Sequence, residues 1–225
     1  MYKTETHMHV SEVSPCARLS AREMITLYHQ AGYQTVMVSD HFYRGYFDNL
    51  GDLPWEEKVN MFLKGYEAAK EVGDAYGMHI ILAAELAFTA SPNHYLLYGI
   101  DREFLLGCRD MLDADIETFY PYAKAHGVTV VQAHPYRDEK CFPTPEYVDA
   151  IEVRNPNPRH DNYEERTAAV AAAFHKPMTG GSDAHRPEDV AGTGVVTEQE
   201  IRTAEECVRA LLSGELRILG RTAEA

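Results

Sequence analysis

The sequence predicts an α/β fold in which a largely parallel sheet closes into a barrel. Short β-rich runs alternate with helical stretches along the chain, which is the pattern of repeated βα units. Polar residues follow most of the β-rich runs, and βα barrels build their active sites at these carboxyl strand ends. An open doubly wound sheet would instead place its site at one switch point, and neither a Gly-x-Gly-x-x-Gly nor a P-loop pattern occurs.

Length and composition favour a single globular domain over residues 1–225. The chain is 45% hydrophobic and 25% charged, which suits a sizeable core. No apolar run approaches the roughly 20 residues that span a bilayer, and no signal peptide begins the chain, so we expect no membrane association. The four cysteines form no Cys-x-x-Cys pair and fit a reducing cytoplasm. The net charge of −14 disfavours non-specific nucleic-acid binding.

Capping and turn residues set the bounds of the predicted elements. Ser20 and Glu23 match a capping box that begins a helix, and Gly77 ends a long one. The predicted strands lie at 2–9, 34–39, 79–84, 93–99, 128–133, 150–153, 176–179, 195–196 and 216–219. The predicted helices lie at 20–31, 56–76, 101–108, 113–125, 161–174 and 203–212. Two loops, 42–55 and 136–145, are candidate walls or lids of a site, although the aromatic first loop equally fits a self-packed surface segment.

The first predicted strand carries two histidines, His7 and His9. Side chains alternate faces along a strand, so these two imidazoles point the same way and can bind one metal ion. A lone His-x-His is more often a pair of unrelated surface residues. Near the other end of the chain, however, Asp183 and His185 repeat the same spacing, which raises the odds of a metal site.

Further residues of the ligand types lie at the ends of other β-rich runs. They are His41 after Asp40, Glu85, His94 and His134. Imidazoles with a few carboxylates and no thiolate suit zinc, manganese or iron better than calcium or magnesium. The sequence therefore predicts a centre of two or three divalent ions that folding assembles from distant segments.

These motifs resemble the PHP (polymerase and histidinol phosphatase) domain family. The resemblance covers nearly the whole chain in the family's order, and it rests on His7-Met8-His9 after Glu5, Asp40-His41, Glu85, His94-Tyr95-Leu96, Ala133-His134-Pro135 and Gly181-Ser182-Asp183-Ala184-His185. It implies a distorted (βα)7 TIM-like barrel with two or three metal ions at the carboxyl ends of the strands. Many members of the family hydrolyse phosphate esters.

The resemblance also implies a role for each matching residue. The first metal would be bound by His7, His9, Glu85 and Asp183, the second by Glu85, His94 and His134, and the third by His41 and His185. Many members have a further histidine after the His-x-His, and here Glu12 is the plausible substitute because carboxylates bind the same metals. Glu5 is expected to support a ligand histidine, and Glu152 and Asn155 to support the site.

We therefore expect a metal-dependent phosphoesterase acting on a small phosphorylated metabolite or nucleotide. A metal-activated hydroxide would attack phosphorus, and the metals would stabilise the attacking and leaving oxygens. Asp183 or His185 would shuttle a proton. Arginines on loops at the site side are candidate phosphate clamps; they are Arg44, Arg137 and Arg154.

Two other functions stay open on the sequence alone. One is an amidohydrolase-like hydrolase of C–N bonds, although such barrels usually carry a modified lysine at a strand end, and no predicted strand end here has one. The other is a non-catalytic metal-dependent binding or regulatory domain. The remaining histidines lack a partner motif and are expected to be packed or exposed residues without a site role; they are His29, His79, His126, His160 and His175. Cys16 lies near the first loop and is only a minor candidate ligand.

Overall fold

A ten-stranded mixed sheet organises the part of the chain that the computed structural model describes, residues 1–161 and 163–220. Its strands are β1 (Tyr2–Met8), β2 (Thr35–Val38), β3 (His41–Tyr43), β4 (His79–Ala87), β5 (His94–Tyr98), β6 (Thr129–Ala133), β7 (Ala150–Arg154), β8 (Met178–Gly180), β9 (Val195–Thr197) and β10 (Arg217–Ile218). The helices are α1 (Ala21–Gln30), α2 (Arg44–Asn49), α3 (Trp55–Tyr76), α4 (Arg102–Gly107), α5 (Ile116–Ala125), α6 (Glu164–Ala173) and α7 (Ala204–Ser213). None of these helices is long and apolar enough to cross a membrane.

The strands follow the order β10-β9-β1-β2-β4-β5-β6-β7-β8, and β3 pairs with β4. The pairs β1–β2, β2–β4, β6–β7 and β7–β8 are parallel. The two ends of this order approach each other, since Met8 forms a parallel bridge with Ala184, just after β8. Thr6 Oγ1 also donates to the Gly180 carbonyl at 2.8 Å. The sheet is therefore nearly closed, and the predicted α/β barrel is confirmed.

Strand β5 runs against both of its neighbours, β4 and β6. Its first residue, His94, lies opposite Ala87 on one side and Ala133 on the other, near the carboxyl ends of those strands. An antiparallel strand brings its amino end to the edge where parallel neighbours bring their carboxyl ends. His94 thus reaches the same end of the barrel as residues that follow the parallel strands.

Both faces of the barrel wall are apolar. On one face Leu97 and Val130 pack in a cluster with Phe119 of α5, and on the other Leu96 packs in a cluster with Leu211 of α7. Strands buried on both faces form continuous apolar runs in the sequence, and such runs predict the positions of the strands. The predicted capping box of α1 is also present, since the Ser20 side chain accepts from the Glu23 N–H while the Glu23 side chain accepts from the Ser20 N–H.

The aromatic segment 42–55 differs from the loop that its sequence predicts. It contains β3 and α2, and Phe42 and Phe47 are each 1% exposed with ring centroids 4.9 Å apart. Phe62 of α3 packs edge-on against Phe42. Because burial of large aromatic rings strongly favours folding, these side chains join the core instead of forming a lid over the site.

Candidate metal centre

Strand β1 places His7 and His9 side by side, as the alternation of strand side chains predicts. Both side chains are 0% exposed, and their ring centroids lie 5.1 Å apart. Met8 between them belongs to a core cluster on the opposite face, together with Val36 and Val38 of β2. The sequence pattern here sets the direction of both imidazoles before any distant contact is made.

Glu85 is the centre around which the imidazoles gather. It is fully buried near the end of β4, and its Oε1 and Oε2 atoms are contacted by five histidines. Oε1 lies 2.8 Å from His94 Nδ1, 2.9 Å from His134 Nε2 and 3.6 Å from His7 Nε2. Oε2 lies 2.6 Å from His41 Nδ1 and 3.5 Å from His9 Nε2. A single carboxylate thus lies within reach of every histidine that was expected to share the inner metals.

Asp183 faces Glu85 across the cluster. Its carboxylate lies 3.5 Å from His7 Nε2, 3.3 Å from His9 Nε2 and 3.4 Å from His185 Nδ1. Asp183 and His134 both have positive φ angles, 49° and 28°. Residues other than glycine adopt this region rarely, and such strained residues concentrate at functional sites.

Several buried polar atoms of this cluster lack a hydrogen-bond partner. They are His7 Nε2, His9 Nε2 and Glu85 Oε2. An unpaired buried polar atom costs about 1–3 kcal/mol, and a divalent cation among these atoms would pair all three. The donor set therefore fits a metal. Among the described residues, donor atoms lie within 4.8 Å of one another in the groups His7–His9–Glu85, His7–His134–Asp183, His41–Glu85–His94 and His9–His41–His185.

The charges in the cluster also favour a cation. Burial alone would raise the pKa of Glu85, but the nearby imidazoles, His94 and His41 first, hold it well below its ordinary value. Burial likewise opposes ionisation of Asp183, and His7 and His160 hold its pKa well below the ordinary value. Both carboxylates are therefore ionised inside a buried pocket, where positive charge must balance them. A metal ion bound by neutral imidazoles would supply that charge.

Glu152 positions two of the predicted ligands from β7. Its Oε1 lies 2.9 Å from His7 Nδ1, and its Oε2 accepts from the backbone N–H of His134 at 3.1 Å. Asn155 Nδ2 donates to Glu152 Oε2 at 2.9 Å and lies 3.4 Å from Asp183 Oδ2. A carboxylate on the outer nitrogen of a ligand histidine fixes its tautomer and ring orientation. The structure thus places Glu152 and Asn155 where the sequence predicts support for the site.

Glu5 has a different role from the one predicted. Its Oε1 accepts from the backbone N–H groups of Thr6, His7 and Ser182, each at 2.9 Å, and its Oε2 accepts from the Tyr28 hydroxyl at 2.8 Å. It therefore holds the backbone of β1 against the turn that carries Asp183, and the support of the His7 imidazole comes from Glu152 instead. Burial raises the pKa of Glu5 above its ordinary value.

A short chain of polar contacts runs from His9 to Asp40. His9 Nδ1 lies 3.4 Å from Ser14 Oγ, which donates to Asp40 Oδ1 at 2.7 Å. The Val10 N–H also donates to Asp40 Oδ1 at 2.9 Å, whereas Asp40 Oδ2 is buried without a partner. Burial raises the pKa of Asp40 to about 7.

We expect the Asp40→Asn variant to gain stability relative to the wild type as pH rises. The unfolded chain ionises Asp40 near its ordinary pKa of 3.8, while the folded pKa is about 7. The contribution of protonated Asp40 to the free energy of unfolding is therefore complete below the pKa of the unfolded chain. It is lost as pH rises through the pKa of the folded protein. Between about pH 5 and about pH 8, the unfolding free energy of the variant should rise by on the order of 3 kcal/mol relative to wild type.

Urea unfolding of chelator-treated protein at the two pH values measures this difference. Asp52→Asn is the matched control, because Asp52 is exposed and its replacement should give a difference independent of pH. A difference for Asp40→Asn that stays constant between the two pH values would contradict the raised pKa.

Three predicted site residues lie outside the cluster. Glu12 is exposed, and both its carboxylate oxygens accept from the Ala21 N–H at 3.0 Å, at the start of α1 where helix geometry favours an acidic side chain. Arg44 bonds to Asp113 through its Nε at 3.0 Å and donates to the Arg109 carbonyl at 3.2 Å. Arg154 pairs with Glu164 at 2.7 Å. These contacts hold all three side chains away from the centre, which corrects the expectation that they reach it.

A cavity of about 250 Å³ opens beside the cluster. Arg137, one of the three predicted phosphate clamps, contributes to its lining. The other lining residues are Cys16, His41, Asn157, Arg159, His160, Asp183, His185 and Arg186. Arg159 is held by Asp189 at 2.6 Å. The mouth of the centre is therefore rimmed by cationic side chains although the whole chain is acidic.

His160 lies against the cluster and lines the cavity, whereas the sequence predicts a packed or exposed residue without a site role. Its Nε2 is 3.2 Å from Asp183 Oδ2, its ring centroid is 5.3 Å from that of His134, and its Nδ1 is buried without a partner. The available signal was its place in the segment that follows β7, since such segments build the sites of βα barrels.

Cys16 is a second residue that sequence reasoning set aside. Burial opposes ionisation of its thiol, but hydrogen bonds to the His185 and His41 side chains and the charges of both imidazoles lower its pKa to about 6. The thiol therefore lies at the rim of the cavity in contact with two predicted ligands.

Comparison with known proteins agrees with this geometry. A family model described as PHP-associated matches residues 162–216, the stretch that contains α6, β8, Asp183 and α7. No curated protein sequence matches the chain.

Solved structures share the fold at low sequence identity. A two-domain protein from Bacteroides vulgatus that contains a predicted PHP-like metal-dependent phosphoesterase has a TM-score of 0.71 and 16% identity, over 96% of this chain and 64% of its own. PsfC from Pseudomonas syringae has a TM-score of 0.67 and 19% identity, over 99% and 92%. An amidohydrolase from Chromobacterium violaceum, with bound sulfate and no metal, has a TM-score of 0.58 and 14% identity, over 96% and 97%. The chain thus spans just under two thirds of the first of these proteins.

The PHP-associated segment lies inside the same barrel that carries the ordered histidine and carboxylate motifs. The fold is shared with a protein that contains a PHP-like domain, and the C-terminal part matches a family model of its own. The resemblance of this chain to the PHP family, which its motifs predict, is therefore confirmed.

Proposed function

We propose that the protein is a metal-dependent phosphoesterase for a small phosphorylated metabolite or nucleotide. One observation carries the proposal: two buried, ionised carboxylates are ringed by imidazoles with unpaired atoms, and the cluster opens to a small cationic cavity. Two or three divalent ions, zinc, manganese or iron, match these donors. The likeness to a PHP-like phosphoesterase supports the same class.

Different residues of the chain would bind the metal ions, transfer a proton and bind the phosphate. His7, His9, Glu85 and Asp183 would bind one ion, Glu85, His94 and His134 a second, and His41 and His185 a third. Bound ions would polarise the phosphate ester, stabilise its developing charge and lower the pKa of water. Asp183 or His185 would move a proton at the cavity wall, and Arg137 would bind a phosphate oxygen.

The size and charge of the site favour a small substrate. A cavity of about 250 Å³ accommodates a compact phosphate ester, whereas the net charge of −14 repels polyanions outside the cationic rim. A reducing cytoplasm is the proposed location, since all four cysteines are unpaired.

Hydrolysis of a C–N bond is the second candidate, because a protein of the same fold is an amidohydrolase. Barrels of that kind usually hold their metals with a modified lysine, but no lysine lines the described cavity. A binding or regulatory domain without turnover is the third candidate. It would keep the metal ligands and lack the reaction.

The phosphoesterase proposal is tested with p-nitrophenyl phosphate on the full chain, after chelation and after return of Zn²⁺, Mn²⁺ or Fe²⁺. We expect chelation to abolish hydrolysis and one of the ions to restore it. Arg137→Ala should then lower kcat/KM by about 10-fold to 100-fold, the effect of losing one charged hydrogen bond. Arg44→Ala is the matched control and should leave the rate unchanged, because Arg44 pairs with Asp113 away from the cavity.

Other outcomes would move the conclusion to a different function. Metal-dependent cleavage of an N-acyl amide without phosphatase activity would favour C–N hydrolysis. Stoichiometric metal without hydrolysis of either substrate class would favour a binding domain. Equal losses in Arg137→Ala and Arg44→Ala would remove the proposed role of Arg137.

A further inference from the structure

The loop after β1 carries Cys16 to the rim of the cavity. The Arg18 N–H donates to the His185 carbonyl at 2.8 Å, and the His41 N–H donates to Ser14 Oγ at 3.1 Å. The loop is thereby bonded, two residues before and two residues after Cys16, to the two residues whose imidazoles face the thiol. The position of Cys16 is therefore held by bonds of its neighbours Ser14 and Arg18 and does not depend on the thiol itself.

Cys16 adds a sulfur donor to an existing group of nitrogen donors. Its side chain lines the same cavity wall as His41 and His185, and its thiol interacts with both imidazoles. The ligand atoms of His9, His41 and His185 lie within 4.8 Å of one another, and the ring of His9 lies 4.3 Å from each of the other two rings. Three imidazoles therefore meet at the solvent side of the cluster, and Cys16 lies beside two of them in the cavity wall.

Buried atoms beside this group indicate that a cation is needed there. His9 Nε2 and Glu85 Oε2 lack hydrogen-bond partners, and both side chains are 0% exposed. Glu85 Oε2 lies 2.6 Å from His41 Nδ1 without forming a hydrogen bond to it. A divalent ion beside His9 Nε2 and Glu85 Oε2 would pair both atoms.

We infer that Cys16 binds an outer divalent ion through its thiolate, together with His41 and His185. The inference rests on the proposed metal dependence, and it adds sulfur to a centre otherwise made of nitrogen and oxygen donors. Thiolate and imidazole donors favour zinc over manganese or magnesium. The outer position therefore prefers zinc, while the inner positions, with imidazole and carboxylate donors, also accept manganese or iron.

Cobalt spectroscopy on the full chain tests the sulfur ligand. After chelation and loading with Co²⁺, the wild type should show a sulfur-to-cobalt charge-transfer absorption in the near ultraviolet. Cys16→Ser should lose this absorption and bind one ion fewer per chain. Glu12→Gln is the matched control from the same loop, because the Glu12 carboxylate bonds to the Ala21 N–H, and it should keep both the absorption and the ion count.

Thiol reactivity provides a second measurement that does not depend on activity. Cys16 is the exposed cysteine, whereas the other three, Cys108, Cys141 and Cys207, are buried. A thiol-disulfide reagent should modify one thiol per chain in the native metal-free protein and none in the zinc-loaded protein. Unfolding the zinc-loaded protein in a chelator should return all four thiols.

The outcomes separate this inference from the proposed function. Wild-type protein that binds cobalt without a sulfur absorption, and whose exposed thiol reacts equally fast with and without zinc, would overturn the role of Cys16 and leave the phosphoesterase proposal standing. Loss of the absorption in Glu12→Gln but not in Cys16→Ser would overturn it as well. Wild-type protein that binds no divalent ion after reconstitution would overturn both.

Discussion

The Glu85→Gln variant is expected to lose metal binding more completely than any other single carboxylate variant of this chain. Glu85 lies within 3.6 Å of five imidazoles. Glutamine at this position removes the negative charge. Its side-chain NH2 group also donates hydrogen bonds, whereas the surrounding imidazole nitrogens need an acceptor or a metal ion. Substitution of a residue that only supports a metal ligand typically lowers metal affinity by about 10-fold to 100-fold. Removal of a bridging ligand should therefore lower metal affinity by at least about 100-fold.

Metal content after dialysis, measured by elemental analysis, and zinc titration against a competing chelator give the affinity. Glu71→Gln is the matched control, because Glu71 is exposed on α3 and should leave the metal content unchanged. Hydrolysis of p-nitrophenyl phosphate should fall in parallel with metal content. Glu85→Gln protein with wild-type metal content and rate would show that the ions bind somewhere else.

Most of the centre could be predicted because local sequence determines where its residues point. Strand alternation alone directs His7 and His9 to one face, and apolar runs locate the strands whose ends carry Glu85 and His134. Once a barrel is predicted, these ends must meet at one rim. His94 follows the same logic less directly, because it reaches the rim only through the reversed direction of β5.

The rest of the site depends on contacts that no local pattern encodes. Glu12 and Cys16 lie on one loop but make different contacts. The Glu12 carboxylate accepts from the Ala21 N–H at the start of α1, whereas the Cys16 thiol faces His41 and His185. His160 reaches Asp183 through the course of the irregular segment after β7. Glu5 and Glu152 are both buried carboxylates. Only the packing of β1 between its neighbours decides that Glu152 meets the His7 imidazole and Glu5 meets backbone N–H groups.

The closeness of β1 to the end of β8 leads to the second large effect, at Gly181. A Cβ atom at Gly181 would lie 2.4 Å from His7 Cβ, 2.8 Å from Glu152 Oε1 and 3.0 Å from Thr6 Oγ1. None of these atoms can move freely, since Glu152 bonds to His7 and Thr6 bonds to Gly180. The Gly181→Ala variant must therefore push β1 away from the strand that delivers Asp183.

We expect Gly181→Ala to be destabilised by about 3 kcal/mol, the upper part of the range for overpacked cores. Because His7 and Asp183 then separate, kcat/KM should fall by about 100-fold, the effect of a 1 Å misplacement in an active site.

Gly77→Ala is the control: no atom lies within 4 Å of its added Cβ, and only its φ of +70° opposes the change. It should cost about 1 kcal/mol without changing zinc affinity. Urea unfolding and zinc titration measure both variants. Equal effects in the two would mean that conformational strain, and not the contact between β1 and β8, sets the cost, and that this contact does not hold the metal ligands together.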